Sequence, residues 1–355
     1  MRETESLERS SNVGVRILFL TVSITFCGIT NLYSERPRIP AELDALVSEG
    51  VDLTLRQEYD RADSVFRYVM MKFQGHPLGY LYSAAVMEAR SMDYLDPLDF
   101  GRYNSLLGLA KTEADKIIND YPDSPMGYYY NGTAVGYDAY AQVDAGNWLG
   151  GIMKGLSAAS DFKKSVALDS TFYDAYVGVG TYYYWKSRKT DFLNWALGDR
   201  RADGIRLLEI AAEKGEQNKY TALSALSAIY LDSHEFDRSI QCAKRGLERY
   251  PENRIFLWAL AAALEQSGTY TDAVQTYKHL LANILRTKMP NPYNEILCRL
   301  NFVKASLALG ETQGLNVQID AILLYEHSVF PENLSKRAII KFEQARNIRA
   351  QLVVK

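Results

Sequence analysis

The 355 residues predict an all-α protein, a right-handed α-solenoid of stacked helical hairpins that ends in a capping helix. Three observations predict it. From about residue 41 onward apolar residues recur three and four apart with Gly or Pro at the breaks, the period of amphipathic helices. A block of positions in the second half of the chain repeats 34 residues later. Small residues also sit at matching places in paired helices, where two helices of one hairpin must approach closely. A hydrophobic fraction of 47% and a charged fraction of 23% supply the core that such an array needs and exclude a disordered chain.

Residues 1–40 read as a targeting segment and linker. Arg16 precedes the apolar run Ile17-Leu-Phe-Leu-Thr-Val-Ser-Ile-Thr-Phe-Cys27, which suits a secretory signal better than a full membrane span. The acidic residues Glu3, Glu5 and Glu8 are unusual in front of such a signal. Three fates stay open: cleavage, lipidation at Cys27, which follows the bulky Phe26, or retention of residues 17–33 as a membrane anchor. All of them place the chain as exported, periplasmic or anchored facing the periplasm.

Residues 41–285 carry about six hairpins. The first is marked by Gly50, then Glu58-Tyr59-Asp60-Arg61-Ala62 and Phe66, with Gly50 and Ala62 letting the helices close up and Tyr59 and Phe66 filling the space around them. Three longer units follow, because Tyr80, Tyr128 and Tyr176 stand 48 residues apart, as do Gly132 and Gly180. The step from first-helix to second-helix small residue is 12 in Gly50 to Ala62, Ser227 to Ser239 and Ala261 to Ala273. It is 26 from Ala84 to Ala110, 26 from Gly132 to Ala158 and 24 from Gly180 to Gly204, so each central hairpin gains 12 to 14 residues between its helices. Whether these form loops or lengthen the helices stays open. In a stack they fall along one edge, near residues 91–101, 143–152 and 188–200. Leu226, Tyr230, Phe236, Ser239 and Leu247 then recur as Leu260, Leu264, Tyr270, Ala273 and Leu281.

With Leu260-Ala261, Gly268-Thr-Tyr270-Thr-Asp-Ala273, Tyr277 and the ending Leu247-Glu-Arg-Tyr-Pro251-Glu-Asn253, the chain resembles the tetratricopeptide repeat family. The likeness covers residues 41–325 and implies an interaction array whose first helices line a concave groove. Residues 286–355 hold a linker around Pro290 and Pro292, a looser hairpin, and a last helix whose Lys336, Arg337, Lys341 and Arg346 suit a polar cap.

No constellation for chemistry is present. His76, His234, His279 and His327 are scattered, and the glycine-rich Gly146–Gly155 stretch lacks the Gly-Lys-Ser/Thr ending of a phosphate loop. Asp60, Asp237 and Asp272 read as solvated or capping residues at the turns. Cys242 and Cys298 read as small buried apolar residues, and no Cys or His spacing suits zinc. The net charge of −3, spread along the chain, disfavours nucleic acid. No enzyme activity, cofactor or metal is therefore expected.

A protein partner is expected. The resemblance assigns Tyr129, Tyr137, Tyr184, Trp185 and Trp258 to the groove, while Tyr128, Tyr176 and Tyr183 fit the packing side of the same helices. The Lys/Asn/Arg clamp by which some members hold a peptide carboxylate is absent. Trp148 and Trp195 fall on the inserted edge, where each either meets a partner or folds back over its own hairpin. Two functions compete: a non-enzymatic scaffold of the cell envelope that docks a protein through groove, edge or both, and an exported small-molecule or glycan receptor using stacked Tyr and Trp.

Overall fold

The computed structural model describes residues 39–144, 146–287 and 292–353. The apolar run at 17–33 and Cys27 lie outside the described residues, as do residues 288–291 of the expected linker. Among the described residues every regular element is helical, and no helix is long and apolar enough to cross a membrane. The chain divides into two compact units, one built from residues up to Ala89 and Leu98–Ser233, the other from Arg90–Pro97 and His234 onward. The 34-residue period does not mark this boundary.

The first unit opens with α1 (Ala41–Leu55) and α2 (Tyr59–Lys72). Ala62 and Phe66 are fully buried and Tyr59 nearly so, and the Phe66 ring lies directly against Gly50, where no side chain would fit. The longer elements follow as α3 (Pro77–Tyr94), whose residues from Arg90 onward belong to the second unit, α4 (Phe100–Asp120), α5 (Pro125–Asp144) and α6 (Trp148–Leu168), then α7 (Ala175–Lys189). A 3-10 turn (Asp191–Leu193) and α8 (Asn194–Leu197) lead to α9 (Arg201–Lys214) and α10 (Lys219–Asp232). The helices α3 to α6 run 18 to 21 residues, against 14 and 15 for α2 and α1. After α7 the additional residues instead form the 3-10 turn and α8. The small-residue pairs meet where the arithmetic places them: a Cβ on Gly132 would lie 3.1 Å from the Ala158 carbonyl oxygen, and one on Gly180 2.7 Å from that of Gly204.

First helices of successive hairpins also touch, α5 with α7 and α7 with α10. Within this unit the connection from α9 to α10 reaches α1, where Gln217 Nε2 donates to Ser48 Oγ at 3.0 Å. The inner faces of the first helices therefore close on one another, which decides the exposure of the aromatic residues they carry.

The second unit holds α11 (Phe236–Arg249), α12 (Arg254–Gln266), α13 (Tyr270–Arg286), α14 (Pro292–Ala308), α15 (Leu315–Leu323) and α16 (Glu332–Val353). Leu300 and Val303 of α14, Ile319 of α15, and Leu334 and Phe342 of α16 pack into one core. The capping helix exposes Lys336 and Arg346, half-buries Lys341, and lays Arg337 over the Tyr293 ring of that core, while Ile339 and Ile340 are also exposed. Arg254 is buried with Asp93, donating from Nε to Oδ1 at 2.7 Å, and donates from Nη1 to Asn283 Oδ1 at 2.8 Å. A buried pair of this kind persists because neighbouring hydrogen bonds satisfy what the charges leave over.

At the turns, Asp60, Asp237 and Asp272 sit in the first turn of α2, α11 and α13, where their charge favours the positive helix end, and the N-caps of these helices make no side-chain cap bond. Gln57, His234 and Gly268 each stand seven residues after the first-helix small residue and take a left-handed backbone, with φ of 63°, 61° and 80°. Only the third position carries the residue that adopts this conformation without strain. Cys242 and Cys298 are both buried.

Candidate functional site

The aromatic residues do not divide between groove and core as the sequence reading has them. Tyr129, Tyr137, Tyr184 and Trp185 are 3%, 4%, 2% and 7% exposed, so they do not line an open groove. Tyr128 and Tyr176, expected in the core, are half-buried, whereas Tyr183 is buried beneath Arg200, whose guanidinium carbon lies 3.6 Å from the ring centroid. The physical reason is the closure of the first unit. Where neighbouring first helices touch, residues on their inner sides pack against each other and become core.

The contacts are specific. The Tyr129 ring meets Phe172 edge-on at 5.1 Å, and its hydroxyl accepts from Asn218 Nδ2 at 3.2 Å. Tyr137 meets Tyr103 edge-on at 6.4 Å, and Tyr103 Oη donates to Glu88 Oε2 at 2.6 Å. Tyr184 Oη donates to Asp232 Oδ2 at 2.8 Å, an oxygen that Arg188 Nε also reaches at 2.8 Å, while Trp185 packs edge-on against the Tyr184 ring. Buried hydroxyls with these partners behave as structural ties. Asp174, 4% exposed, accepts from the Asn218 backbone N–H at 2.9 Å, and burial raises its carboxyl to about 7. Burial likewise lowers His76 to about 4, with its ring edge-on to Tyr130. In the second unit Trp258 is half-buried and edge-on to Tyr277 at 6.3 Å.

The inserted segments are different. Trp148 is 54% exposed and Trp195 is 87% exposed, so neither folds back to be covered. They are accompanied by Leu149, Ile152, Met153 and Leu156 on α6 and by Phe192 in the 3-10 turn, each 49–76% exposed. The helix α6 starts cleanly because Asn147 Oδ1 accepts from Gly150 N at 3.1 Å. Its packing side, Gly151, Ala158, Ala159 and Phe162, is buried. Sequence reasoning did not single out Ile152, Met153 and Leu156, because apolar residues at helical spacing read as core. The available signal was that α6 has two such faces and only one of them can meet its own hairpin.

Chemically, these exposed side chains offer apolar contact. Among the described residues no group of three His, Cys, Asp or Glu could hold a metal ion. Lys154 beside the patch pairs with Asp138, and Arg201 pairs with Asp199 and Asp191.

No family model matches the chain, and no curated protein matches it. Among solved structures, the type IV pilus biogenesis factor PilW aligns at 15% identity and TM-score 0.45, over 71% of this chain and 97% of PilW. The C-terminal part of a TPR repeat-containing protein from Cytophaga hutchinsonii aligns at 15% identity and TM-score 0.45, over 83% of this chain and 98% of that one. Yeast Tom70 aligns at 13% and 0.39, over 98% of this chain and 72% of its own. All three scores fall below 0.5, so the architecture rests on the chain's own helices and small-residue contacts. By those contacts the described residues form an array of α-helical hairpins.

Proposed function

We propose that this chain is a non-enzymatic interaction scaffold of the cell envelope that holds a protein partner on its inserted edge. One observation carries the reading: seven large apolar side chains, Trp148 to Leu156 on α6 with Phe192 and Trp195 beyond α7, stand in solvent on segments added to an otherwise well-packed array. An apolar surface of this kind marks an interaction site, and Trp, Phe and Met are the residues that protein interfaces enrich. The envelope assignment rests on the apolar run at residues 17–33. The competing receptor reading needs open aromatic faces for a ring to stack on, and burial of Tyr129, Tyr137, Tyr184 and Trp185 leaves it few.

The test is affinity capture from the native envelope with the double variant Trp148→Ala/Trp195→Ala. Capture of the native partner falls while the melting temperature stays at the wild-type value. Unchanged capture refutes the edge as the docking site, and a rise in melting temperature on adding an oligosaccharide would favour the receptor.

A further inference from the structure

Resting on that reading, we infer that the edge holds an amphipathic helix with acidic margins, seated along the outer seam of α6. Successive helical residues step by about 100°, so Leu149, Ile152, Met153 and Leu156 fall within roughly 100° of arc and cover about 10 Å of axis. Their spacing of i, i+3, i+4 and i+7 is the one by which a helix presents a stripe to another helix. The side that packs onto α5 is a separate face, occupied by Gly151, Ala158, Ala159 and Phe162. One helix thus carries two packing faces and the array covers one.

The seam is confined to the N-terminal half of α6. Beyond Leu156 the same arc holds Ser160 and Lys163, while the packing face runs from Gly151, against Ala139 and Val143, to Ala158, against Gly132. The seam is therefore a surface of α6 that the hairpin itself does not use. Charge selects the margins of the guest. No carboxylate occurs from Trp148 through Ser160, Asp161 turns toward Gly132 of α5, Lys163 and Lys164 follow on the same helix, and the seam begins at the positive end of α6. Acidic residues flanking an apolar stripe meet attraction there and no like charge along the seam. The extra aromatic knobs, Phe192 and Trp195, lie on the segment after α7 and are not needed for the seam.

The test places the photoreactive residue p-benzoylphenylalanine at position 152 of the full chain in its native host, with the same residue at Arg61 as control, and sequences the crosslinked peptide by mass spectrometry. The expected adduct is a peptide with apolar residues at i, i+3, i+4 and i+7 flanked by Asp or Glu. Its yield falls at least about tenfold on adding Leu149→Asp/Leu156→Asp, and less on adding Leu149→Lys/Leu156→Lys, since only the first pair repels an acidic guest. Circular dichroism matching the wild type shows that each variant is folded. A protein adduct without that pattern, or equal loss from both pairs, overturns this inference and leaves the edge a docking site. Lipid adducts, crosslinks to a second copy of this chain, or a yield no higher than at Arg61 overturn both.

Discussion

The backbone contact between Gly180 and Gly204 gives the array its sharpest test. A Cβ on Gly180 would lie 2.7 Å from the Gly204 carbonyl oxygen, 2.9 Å from Leu208 Cγ and 3.3 Å from Leu207 Cβ. Ordinary contact between such atoms begins near 3.5 Å, so Gly180→Ala forces α7 and α9 apart by roughly 0.7 Å or more. The nearest obstacle is main chain, which cannot rotate away as a side-chain tip can. Overpacking of this kind costs about 1–3 kcal/mol, against which Ala recovers up to about 1 kcal/mol of helix propensity. With main chain as the obstacle the upper end of that cost applies, and the net loss of about 2 kcal/mol corresponds to a fall in melting temperature of about 4–8 °C for a unit of this size. Gly155→Ala is the control, because nothing lies within 4 Å of its Cβ, so it keeps the propensity gain and raises the melting temperature. Thermal unfolding followed by circular dichroism measures both. A Gly180→Ala protein as stable as the wild type would refute the close approach of these two helices and the insertion lengths drawn from it.

Other consequences concern strain and charge. His234 is exposed and holds a left-handed backbone that glycine takes at the equivalent Gly268, so His234→Gly stabilises by about 1 kcal/mol and Gly268→Ala destabilises by a similar amount, read from chemical denaturation. Asp174 holds its proton up to about pH 7 when folded and releases it near the ordinary carboxyl value when unfolded. Its contribution to stability is therefore complete at low pH and is lost as pH rises from about 4 through about 7. Melting temperatures measured from pH 5 to 8 should fall more steeply for the wild type than for Asp174→Asn. Asp44 and Asp161, raised to about 6, act in the same direction, and His76 acts in the opposite one, losing stability as pH drops from 6.5 toward 4. Parallel pH profiles for the two proteins would contradict the burial of Asp174.

The fold was legible wherever the sequence recorded a contact that only small residues tolerate. Gly132 against Ala158 and Gly180 against Gly204 each leave a mark in the sequence, at steps of 26 and 24 residues where Gly50 to Ala62 spans 12. The exposure of the aromatic residues was not legible. Tyr128 and Tyr129 differ by one step around α5, and which of them is core depends on how tightly successive first helices close, set here by contacts as distant as Gln217 with Ser48 and Asn218 with Tyr129. No local pattern encodes that closure. The edge was half legible: Trp148 and Trp195 stood out as aromatic residues in inserted segments, while Ile152, Met153 and Leu156 were hidden by spacing that suits a buried helix. The left-handed turns at Gln57 and His234 were missed because neither residue advertises the conformation that Gly268 does.

Hydroxyl-radical footprinting of the folded chain, resolved residue by residue, tests the central claim that the aromatic residues of the first unit are interior and those of the inserted edge are open. Trp195 and Trp148 should oxidise rapidly, and Trp185, Tyr129, Tyr137 and Tyr184 should be protected until the protein unfolds. Oxidation of Trp185 and Tyr184 as fast as Trp195 in the folded state would mean an open groove, and would return the docking surface from the edge to the concave face.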